Sequence, residues 1–304
     1  MKKAIVTGGT GAIGAALIQE LTERGISVLA LCHRSGRFRE LPCHKLLTAL
    51  ECNLSDLKYF CPPSTDYDVF YHLAWAGTSG DARNDTCLQC TNIFNALDAV
   101  TAAKRSGCHT FVGVGSQAEY GHVKSALTPT TPTFPESGYG IAKLAAAGLT
   151  RLAAEQCGMR HVWVRILSVY GPHDNEKSLI SYTVRGLLRG EALHYTKGEQ
   201  LWDLLYSRDA AKALVLLGKK GKHGAIYPLG SGDARPLKEY LITARDTIAP
   251  QVPLHFGSYP YPPGQVMHLE ADITALTKDT GWRPGTEFAE GIRETAAWWQ
   301  RRNK

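Results

Sequence analysis

The first half of the chain alternates between two patterns of hydrophobic and polar positions. Short runs rich in β-branched residues are separated by longer stretches in which apolar residues recur at helical spacing. This alternation is typical of βαβ units that wind a parallel sheet. The predicted strands are Lys3–Thr7 and residues 26–31, 46–50, 69–73, 110–114 and 161–167.

The pattern changes after about residue 167. Proline and glycine become frequent, the predicted helices are shorter, and strands such as Ala225–Leu229 stand alone. Residues 260–264 form an irregular proline-rich segment, and a last helix is predicted over residues 288–299. We therefore expect the second half to carry ligand contacts on its loops.

The first predicted strand runs directly into the string Thr7-Gly-Gly-Thr-Gly-Ala-Ile-Gly14, and a helix is predicted to follow. In such a turn Gly8 permits the tight bend, Gly11 lets the backbone approach a pyrophosphate, and Gly14 allows close helix packing. The helix N-terminus then supplies amide donors to the phosphates. An ordinary glycine-rich turn is the alternative, which the position at the start of a βαβ series disfavours.

This context predicts an α/β fold, a Rossmann-type doubly wound parallel sheet with a smaller C-terminal α/β domain. The dinucleotide-binding Rossmann domain is predicted over residues 1–167. Residues 168–304 are predicted to form mainly a substrate-binding domain, partly interleaved with the first. With 304 residues, 44% of them hydrophobic, the chain is long enough to bury such a core.

The formal net charge of +6 is modest for this length, and basic residues are scattered among acidic ones. This distribution favours a small phosphorylated ligand and argues against nucleic acid as a partner. The sequence lacks both a signal peptide and a stretch of about 20 apolar residues that would span a membrane. We therefore predict a cytoplasmic protein without a membrane partner.

The eight cysteines are irregularly spaced, which favours reduced thiols over a disulfide framework. Cys87 and Cys90 form a lone CxxC. Two thiols on one amphipathic helix explain this pair more simply than half of a metal site, because zinc sites usually need four ligands. No metal is therefore predicted.

Tyr139 and Lys143 lie four positions apart in a predicted helix, so their side chains share one face. A tyrosine with a pKa of about 10 is a poor base at neutral pH, but a nearby cation favours its phenolate. Tyr139 can then give a proton to a carbonyl or take one from a hydroxyl. Ser116 follows the fifth predicted strand, where its hydroxyl can hydrogen-bond the reacting oxygen.

Together these motifs resemble the extended short-chain dehydrogenase/reductase family, of the NAD-dependent epimerase/dehydratase type. The GxxGxxG spacing, the string 68–74, the turn 53–56 and the helix containing Asn92 all match that family. The resemblance implies that Ser116, Tyr139 and Lys143 are catalytic. It also implies cofactor contacts from the glycine turn, the strand ends and two helices: Gly8, Thr10, Gly11, Ala12, Ile13, Gly14, His33, Arg34, Asn53, Leu54, Leu73, Ala74, Asn92, Tyr139, Lys143 and Ile166.

The residues after the second strand predict which dinucleotide is used. NAD enzymes of this fold carry an acidic residue there, which hydrogen-bonds the adenosine ribose. Here the position is Cys32, followed by His33 and Arg34. Because a guanidinium pairs bidentately with a 2′-phosphate, NADP(H) is predicted in preference to NAD(H), with Arg34 as its contact. A solvated basic loop is the alternative interpretation.

The string Gly-Ser-Gln-Ala-Glu-Tyr-Gly around Ser116 is similar to nucleotide-sugar 4-ketoreductases such as CDP-abequose and CDP-paratose synthases. The 4,6-dehydratases of the family carry Asp-Glu where this chain has Gln117 and Ala118. Glu119 is one position late and is expected to point elsewhere. The resemblance therefore implies reduction of a 4-keto sugar nucleotide. The alternatives are a 4-epimerase that retains NAD and a non-catalytic NADP-binding sensor.

The resemblance implies substrate contacts from Trp75, Gln117, Ser168, Trp202 and Arg208. Trp202 departs from the family, which commonly has an arginine for the substrate pyrophosphate there, and a later family arginine is replaced within residues 259–264. These losses weaken the expected affinity for a sugar nucleotide unless Arg208 or Arg185 compensates. Trp202 either stacks on the ligand or packs in the core.

Residues 84–104 and 139–156 resemble the helices through which the family forms homodimers. We therefore predict a homodimer that binds a small molecule, and the resemblance implies that this molecule is a sugar nucleotide. A face buried within one chain is the alternative explanation for the alanines of the second helix.

Overall fold

The computed structural model describes residues 1–302, so the last two residues of the predicted second domain lie outside the described part. The strands are β1 Lys3–Thr7, β2 Ser27–Cys32, β3 Leu47–Glu51, β4 Val69–His72, β5 Thr110–Ser116, β6 Arg160–Ile166, β7 Ser168–Tyr170, β8 Leu193–His194, β9 Leu201–Trp202, β10 Leu204–Tyr206, β11 Ala225–Leu229, β12 Arg235–Pro236, β13 Leu254–His255 and β14 His268–Leu269. The α-helices are α1 Ala12–Glu23, α2 Thr86–Arg105, α3 Gly138–Gln156, α4 Leu179–Arg189, α5 Ser207–Lys220, α6 Leu237–Ile248, α7 Thr274–Thr280 and α8 Phe288–Arg302.

Seven strands form one parallel sheet in the order β11-β6-β5-β4-β1-β2-β3. The chain leaves β1 towards β2 on one side, and β4 returns to the other side of β1. This reversal is the switch point at which open α/β sheets bind ligands, beyond the carboxyl ends of the strands. The Rossmann-type fold predicted from the sequence is confirmed.

β11 corrects one sequence-based expectation, because Ala225–Leu229 does not stand alone. It pairs in parallel with β6, with Tyr227 opposite Val164. The neighbours of β11 in sequence do not pair with it, so the local pattern carries no sign of a distant partner. The second part of the chain thus completes the sheet begun by the first.

Alternation along β1 divides the core between the two faces of the sheet. Ala4 and Val6 pack with Leu17 of α1 and Leu214 of α5, whereas Ile5 belongs to a separate cluster with residues of α2 and α3. Side chains of a strand point to opposite faces in turn, so each face needs its own helical layer. The helices on both faces bury the sheet.

A further apolar cluster lies beyond the sheet, where α4, α6 and α8 pack together. Val184, Leu241, Ile292 and Trp299 are fully buried members of this cluster. This packing fixes the course of α8, whose last turn reaches the switch-point end of the sheet.

Candidate active site

The glycine turn between β1 and α1 has the geometry that its sequence predicts. Gly8 adopts a left-handed backbone, with φ of 76°, and a Cβ there would lie 2.8 Å from the Ala74 nitrogen. Gly11 is uncrowded, since an added Cβ would lie 3.9 Å from the Gly8 carbonyl oxygen, which is an ordinary van der Waals distance. Gly11 is also the N-cap of α1 and offers no capping side chain. The first amides of α1 are therefore free of side-chain partners and available to an anion.

A groove of about 1090 Å³ opens at this turn. It is large enough for a dinucleotide, and its walls combine backbone, polar and apolar groups as ligand sites do. Of the cofactor-contact residues implied by the family resemblance, these line it: Gly8, Thr10, Gly11, Ala12, His33, Leu54, Leu73 and Ala74. Trp75, which was expected to touch substrate, is in the same wall.

Other predicted cofactor contacts lie behind the wall or beyond it, namely Ile13, Gly14, Arg34, Asn53, Asn92, Ile166, Tyr139 and Lys143. Asn92 fixes the backbone of Ala76, a residue that lines the groove. Its side-chain amide accepts a hydrogen bond from the Ala76 nitrogen (3.0 Å) and donates one to the Ala76 carbonyl (2.9 Å). Asn53 donates to Asp56 and so stabilises its own turn. These two asparagines shape the groove through backbone and turn contacts.

Sequence reasoning missed several lining residues. Some lie beside recognised motifs: Gly9, Cys32, Arg37, Glu40, Cys52, Ser55, Leu57, Ala76, Thr78 and Asn95. The others, residues 173–176 and Arg302, belong to the second part of the chain. Adjacency to the glycine turn and to the strand ends was an available signal for the first set. No local pattern marks the second set, because only the packing of α8 and of the loop after β7 brings it here.

The catalytic helix α3 begins next to the end of β5. The Ser137 side chain caps it by accepting from the Gly140 nitrogen (3.1 Å). Tyr139 and Lys143 are both buried, and the Lys143 ammonium donates to the Val114 carbonyl (2.6 Å). The same ammonium lies 3.8 Å from the centroid of the Trp75 ring. Trp75, which lines the groove, therefore also contacts the Lys143 ammonium through the face of its ring.

The electrostatics of this pair follow from burial. Burial raises the pKa of the Tyr139 phenol, and a hydrogen bond with Ser116 and the charge of Arg83 oppose that rise. Burial lowers the pKa of Lys143 to about 7, opposed by the charge of Glu119. Tyr139 is thus a protonated acid at neutral pH, whereas the pKa of Lys143 lies in the neutral range, where this group can exchange protons.

Ser116 is held by a turn that ends in Glu119. The Ser116 hydroxyl accepts from the Ala118 nitrogen (3.2 Å), and the Ser116 nitrogen donates to the Glu119 carboxylate (2.8 Å). Glu119 is fully buried and also accepts from Trp163 (3.1 Å) and from Arg165 (2.6 Å). The carboxylate therefore points into the core, and it anchors the backbone of the serine.

Two glycines of β5 make room for this arrangement. A Cβ at Gly113 would overlap the Trp163 ring, and one at Gly115 would overlap both the Trp163 nitrogen and the Glu119 carboxylate. Register explains the contact, since Gly113 lies beside Trp163 and Gly115 beside Arg165 in the parallel pair. The spacing Gly-Val-Gly-Ser thus fits a large side chain on the neighbouring strand.

The residues expected to contact substrate fall into two regions. The Trp202 indole donates to the Ser168 hydroxyl (2.8 Å), which brings these two predicted residues together. Gln117 directly follows Ser116. Arg208 instead pairs with Glu23 of α1 (3.2 Å) and lines a second cavity of about 320 Å³. Arg208 is therefore engaged away from the first groove, and Arg185, the other arginine expected to compensate for Trp202, pairs with Glu176 (3.3 Å).

Cys87 and Cys90 are both exposed on α2. Within residues 1–302, no group of three or more histidine, cysteine or acidic side chains is placed to hold a metal ion. Among the helices of residues 1–302, none combines the length and the hydropathy needed to cross a bilayer.

The parallel sheet, the open glycine turn and the groove at the switch point define a dinucleotide-binding protein. The chain belongs to the NAD dependent epimerase/dehydratase family, whose model matches residues 4–230. One curated relative, the dTDP-glucose 4,6-dehydratase of Shigella flexneri, is 29% identical over 180 residues, which cover 57% of this chain and 50% of the relative. The chain thus spans about half the length of that relative.

Solved structures share the whole fold. A UDP-N-acetylglucosamine 4-epimerase from Methanobrevibacter ruminantium M1 superposes with a TM-score of 0.89 at 24% identity, covering 99% of both chains. A UDP-glucuronic acid 4-epimerase from Bacillus cereus, in complex with UDP-glucuronic acid and NAD, gives a TM-score of 0.84 at 21% identity, covering 98% of this chain and 99% of the other.

The predicted preference for NADP(H) is wrong, since the family is NAD dependent and the Bacillus cereus structure holds NAD. The groove supplies the physical reason. Arg34 is exposed and lies outside the wall, while Arg37, which is in the wall, is paired with Glu40 (2.8 Å). The Arg37 guanidinium is therefore already engaged by the Glu40 carboxylate rather than open to a 2′-phosphate.

Proposed function

We propose that this chain is an NAD-dependent oxidoreductase that moves a hydride to or from C4 of a nucleotide-activated sugar, with reduction of a 4-keto group as the net reaction. The observation that carries the proposal is the convergence of Ser116, Tyr139 and Lys143 beside a dinucleotide groove. The glycine turn and the free amides of α1 fit a diphosphate, and an open Gly11 fits its close approach.

The nicotinamide ring, when bound, supplies the hydride to the C4 carbon. Tyr139 donates its phenolic proton to the C4 oxygen, so that the carbonyl becomes a hydroxyl. Ser116, whose hydroxyl lies beside Tyr139, hydrogen-bonds the same oxygen and stabilises the charge that develops on it. The positive charge of Lys143 stabilises the tyrosinate that remains, until a proton from solvent restores the phenol.

The residues after Ser116 favour reduction over dehydration. Water elimination needs an acid and a base beside the sugar, and family dehydratases carry Asp-Glu at the positions of Gln117 and Ala118. Neither of these side chains ionises. Glu119 cannot take over, because its carboxylate is fully buried against Trp163 and Arg165.

The second candidate is a 4-epimerase that keeps its NAD and returns the hydride to the opposite face of the sugar. The solved structures that share the whole fold include two 4-epimerases of nucleotide sugars. Retention of the cofactor would also suit a groove that is walled by both parts of the chain.

One assay separates the two candidates. We expect the purified chain to oxidise added NADH in stoichiometric amounts with CDP- or dTDP-4-keto-6-deoxyglucose, and a deuterium label on NADH to appear at C4. Interconversion of UDP-glucose and UDP-galactose without net NADH oxidation would identify the epimerase instead. If neither reaction occurs and no label moves, the proposed hydride transfer is refuted.

We also propose a homodimer formed through α2 and α3. Both helices expose large apolar side chains: Phe94 of α2 is 67% exposed, and Ile141 of α3 is 56% exposed. Exposed apolar side chains on two adjacent helices are typical of an interface. Light scattering should give twice the 33.2 kDa of one chain, and Phe94→Asp with Ile141→Asp should return it to one. A single-chain mass for the natural protein would contradict the proposal.

The cytoplasm is the compartment that we propose. All eight cysteines lie in the described part of the chain and are free thiols. Free thiols persist in a reducing compartment, and an NAD-dependent enzyme draws its cofactor from the same place.

A further inference from the structure

The end of α8 forms part of the dinucleotide groove. Arg302, the last described residue of that helix, lines the groove together with residues 173–176 from the loop after β7. The glycine turn and the residues that follow β2 form the other walls. A helix of the second part of the fold therefore borders a site that the first part builds.

A stack of side chains orients the Arg302 guanidinium. The His173 ring lies 4.8 Å from the Trp298 ring, and the guanidinium lies 5.2 Å from Trp298 and 5.5 Å from Trp299, measured between centres. His173 has φ of 64°, and among residues 1–302 no other residue besides glycine has a positive φ. Such a backbone persists only where its surroundings impose it, and it often marks a functional site.

Among residues 1–302, one carboxylate lies within 4 Å of the Arg302 guanidinium. It belongs to Glu176, at 3.7 Å, which also pairs with Arg185 at 3.3 Å. The pKa of Glu40 is lowered mainly by its hydrogen bond with Arg37 and also by the charge of Arg302, so Glu40 is a more distant partner. Arg37, the other arginine in the described walls of the groove, is paired with Glu40 at 2.8 Å. Arg302 therefore gives up a longer ion-pair contact than Arg37 does when it binds an anion in the groove, so Arg302 is the arginine that can bind the anion at the lower cost in free energy.

The place of Arg302 identifies which anion it would meet. Ala12, the first residue of α1, lines the groove and also the second cavity, which Trp298 and Arg301 border. The last turn of α8 thus lies beside the N-terminus of α1, where the amides left uncapped by Gly11 attract phosphate.

We propose that Arg302 binds the diphosphate of the cofactor and that the last turn of α8 closes the groove over it. This inference rests on the proposed function only through its NAD site. The guanidinium exchanges its long contact with Glu176 for bidentate hydrogen bonds to phosphate oxygens, which are shorter and stronger. Arg302 is then a binding residue that stands outside the glycine turn.

Calorimetric titration of the full chain with NAD, ADP and adenosine tests this inference. Arg302→Ala should weaken binding of NAD and of ADP by about 10- to 30-fold, because a hydrogen bond between two charged groups is lost. Adenosine, which lacks the diphosphate, should bind the natural chain and Arg302→Ala alike. Added salt should weaken ADP binding more in the natural chain than in Arg302→Ala, because salt screens the lost attraction.

Arg301→Ala is the matched control, since Arg301 carries the same charge one position earlier and lines the second cavity. It should change the dissociation constant of NAD by less than about twofold, as screened charges do. Arg302 is 49% exposed at a helix end, so its replacement leaves the core intact, and Arg302→Lys should give an intermediate affinity.

Three outcomes would overturn the inference. NAD could bind Arg302→Ala as it binds the natural chain, Arg301→Ala could weaken binding equally, or adenosine could weaken in parallel with ADP. In each of these cases the natural chain still binds NAD, and the proposed function stands. If the natural chain bound neither NAD nor ADP, the cofactor assignment would fail together with the inference.

Discussion

Tyr139→Phe lowers kcat for hydride transfer by about 100- to 10,000-fold, because the substitution removes the proton donor for the C4 oxygen. Affinity for NAD is expected to stay unchanged. The phenyl ring keeps its perpendicular contact with Trp75, at 6.3 Å between centroids, and its place under the Arg83 guanidinium at 4.5 Å. Rapid-mixing measurements of NADH absorbance give kcat, and calorimetry gives the dissociation constant.

Tyr59→Phe serves as the control for this variant. Tyr59 is 75% exposed, so loss of its hydroxyl should affect neither turnover nor cofactor binding. Unchanged turnover in Tyr139→Phe would show that another group donates the proton. A parallel loss of NAD affinity would assign Tyr139 to binding.

Glu119→Gln is expected to lower the free energy of unfolding by about 3–5 kcal/mol, since it breaks a buried ion pair and leaves its partner charged. The Glu119 and Arg165 side chains are 0% and 3% exposed, so water cannot replace the lost contact. The carboxylate accepts from three donors, whereas a carboxamide offers one acceptor oxygen and turns its own donor towards the others. Urea unfolding followed by far-ultraviolet circular dichroism measures the change.

Two further variants distinguish the effect of breaking the buried ion pair from the effect of removing one negative charge. Glu155→Gln removes the same charge from an exposed pair with Arg151, and it should leave the urea midpoint nearly unchanged, because exposed ion pairs contribute little to stability. Glu119→Leu combined with Arg165→Met removes both buried charges and should recover most of the stability lost in Glu119→Gln. An unchanged urea midpoint for Glu119→Gln would contradict the role given to this carboxylate.

Most of the parallel sheet could be predicted from the sequence, because each strand from β1 to β6 carries its own signal in a short apolar run. β11 shows where that reasoning ends. Its residues predict a strand, but the identity of its partner, β6, depends on how α4 and α5 return the chain to the sheet. Strands of two residues, such as β8 and β13, have no pattern long enough to detect.

The candidate site divides in the same way. Gly8, Ser116 and Tyr139 belong to motifs whose chemistry depends on local spacing, so the sequence alone predicts them as site residues. Arg34 was chosen as a cofactor contact by its position after β2, and that position does not reveal that Arg37 and Glu40 pair in the groove. Arg302 is remote in sequence from every motif, and only the packing of α8 places it in the wall of the groove.

The fit of Trp163 against Gly113 and Gly115 constrains the order in which this chain can change during evolution. While the indole occupies that space, even an added methyl group on either glycine meets a steric penalty. A smaller residue at Trp163 would open the space, and would also remove one donor to Glu119. A larger residue at Gly113 or Gly115 is therefore tolerated only after Trp163 has been replaced by a smaller one, and it is deleterious if it comes first. Descendants of this chain should therefore vary at these three positions together.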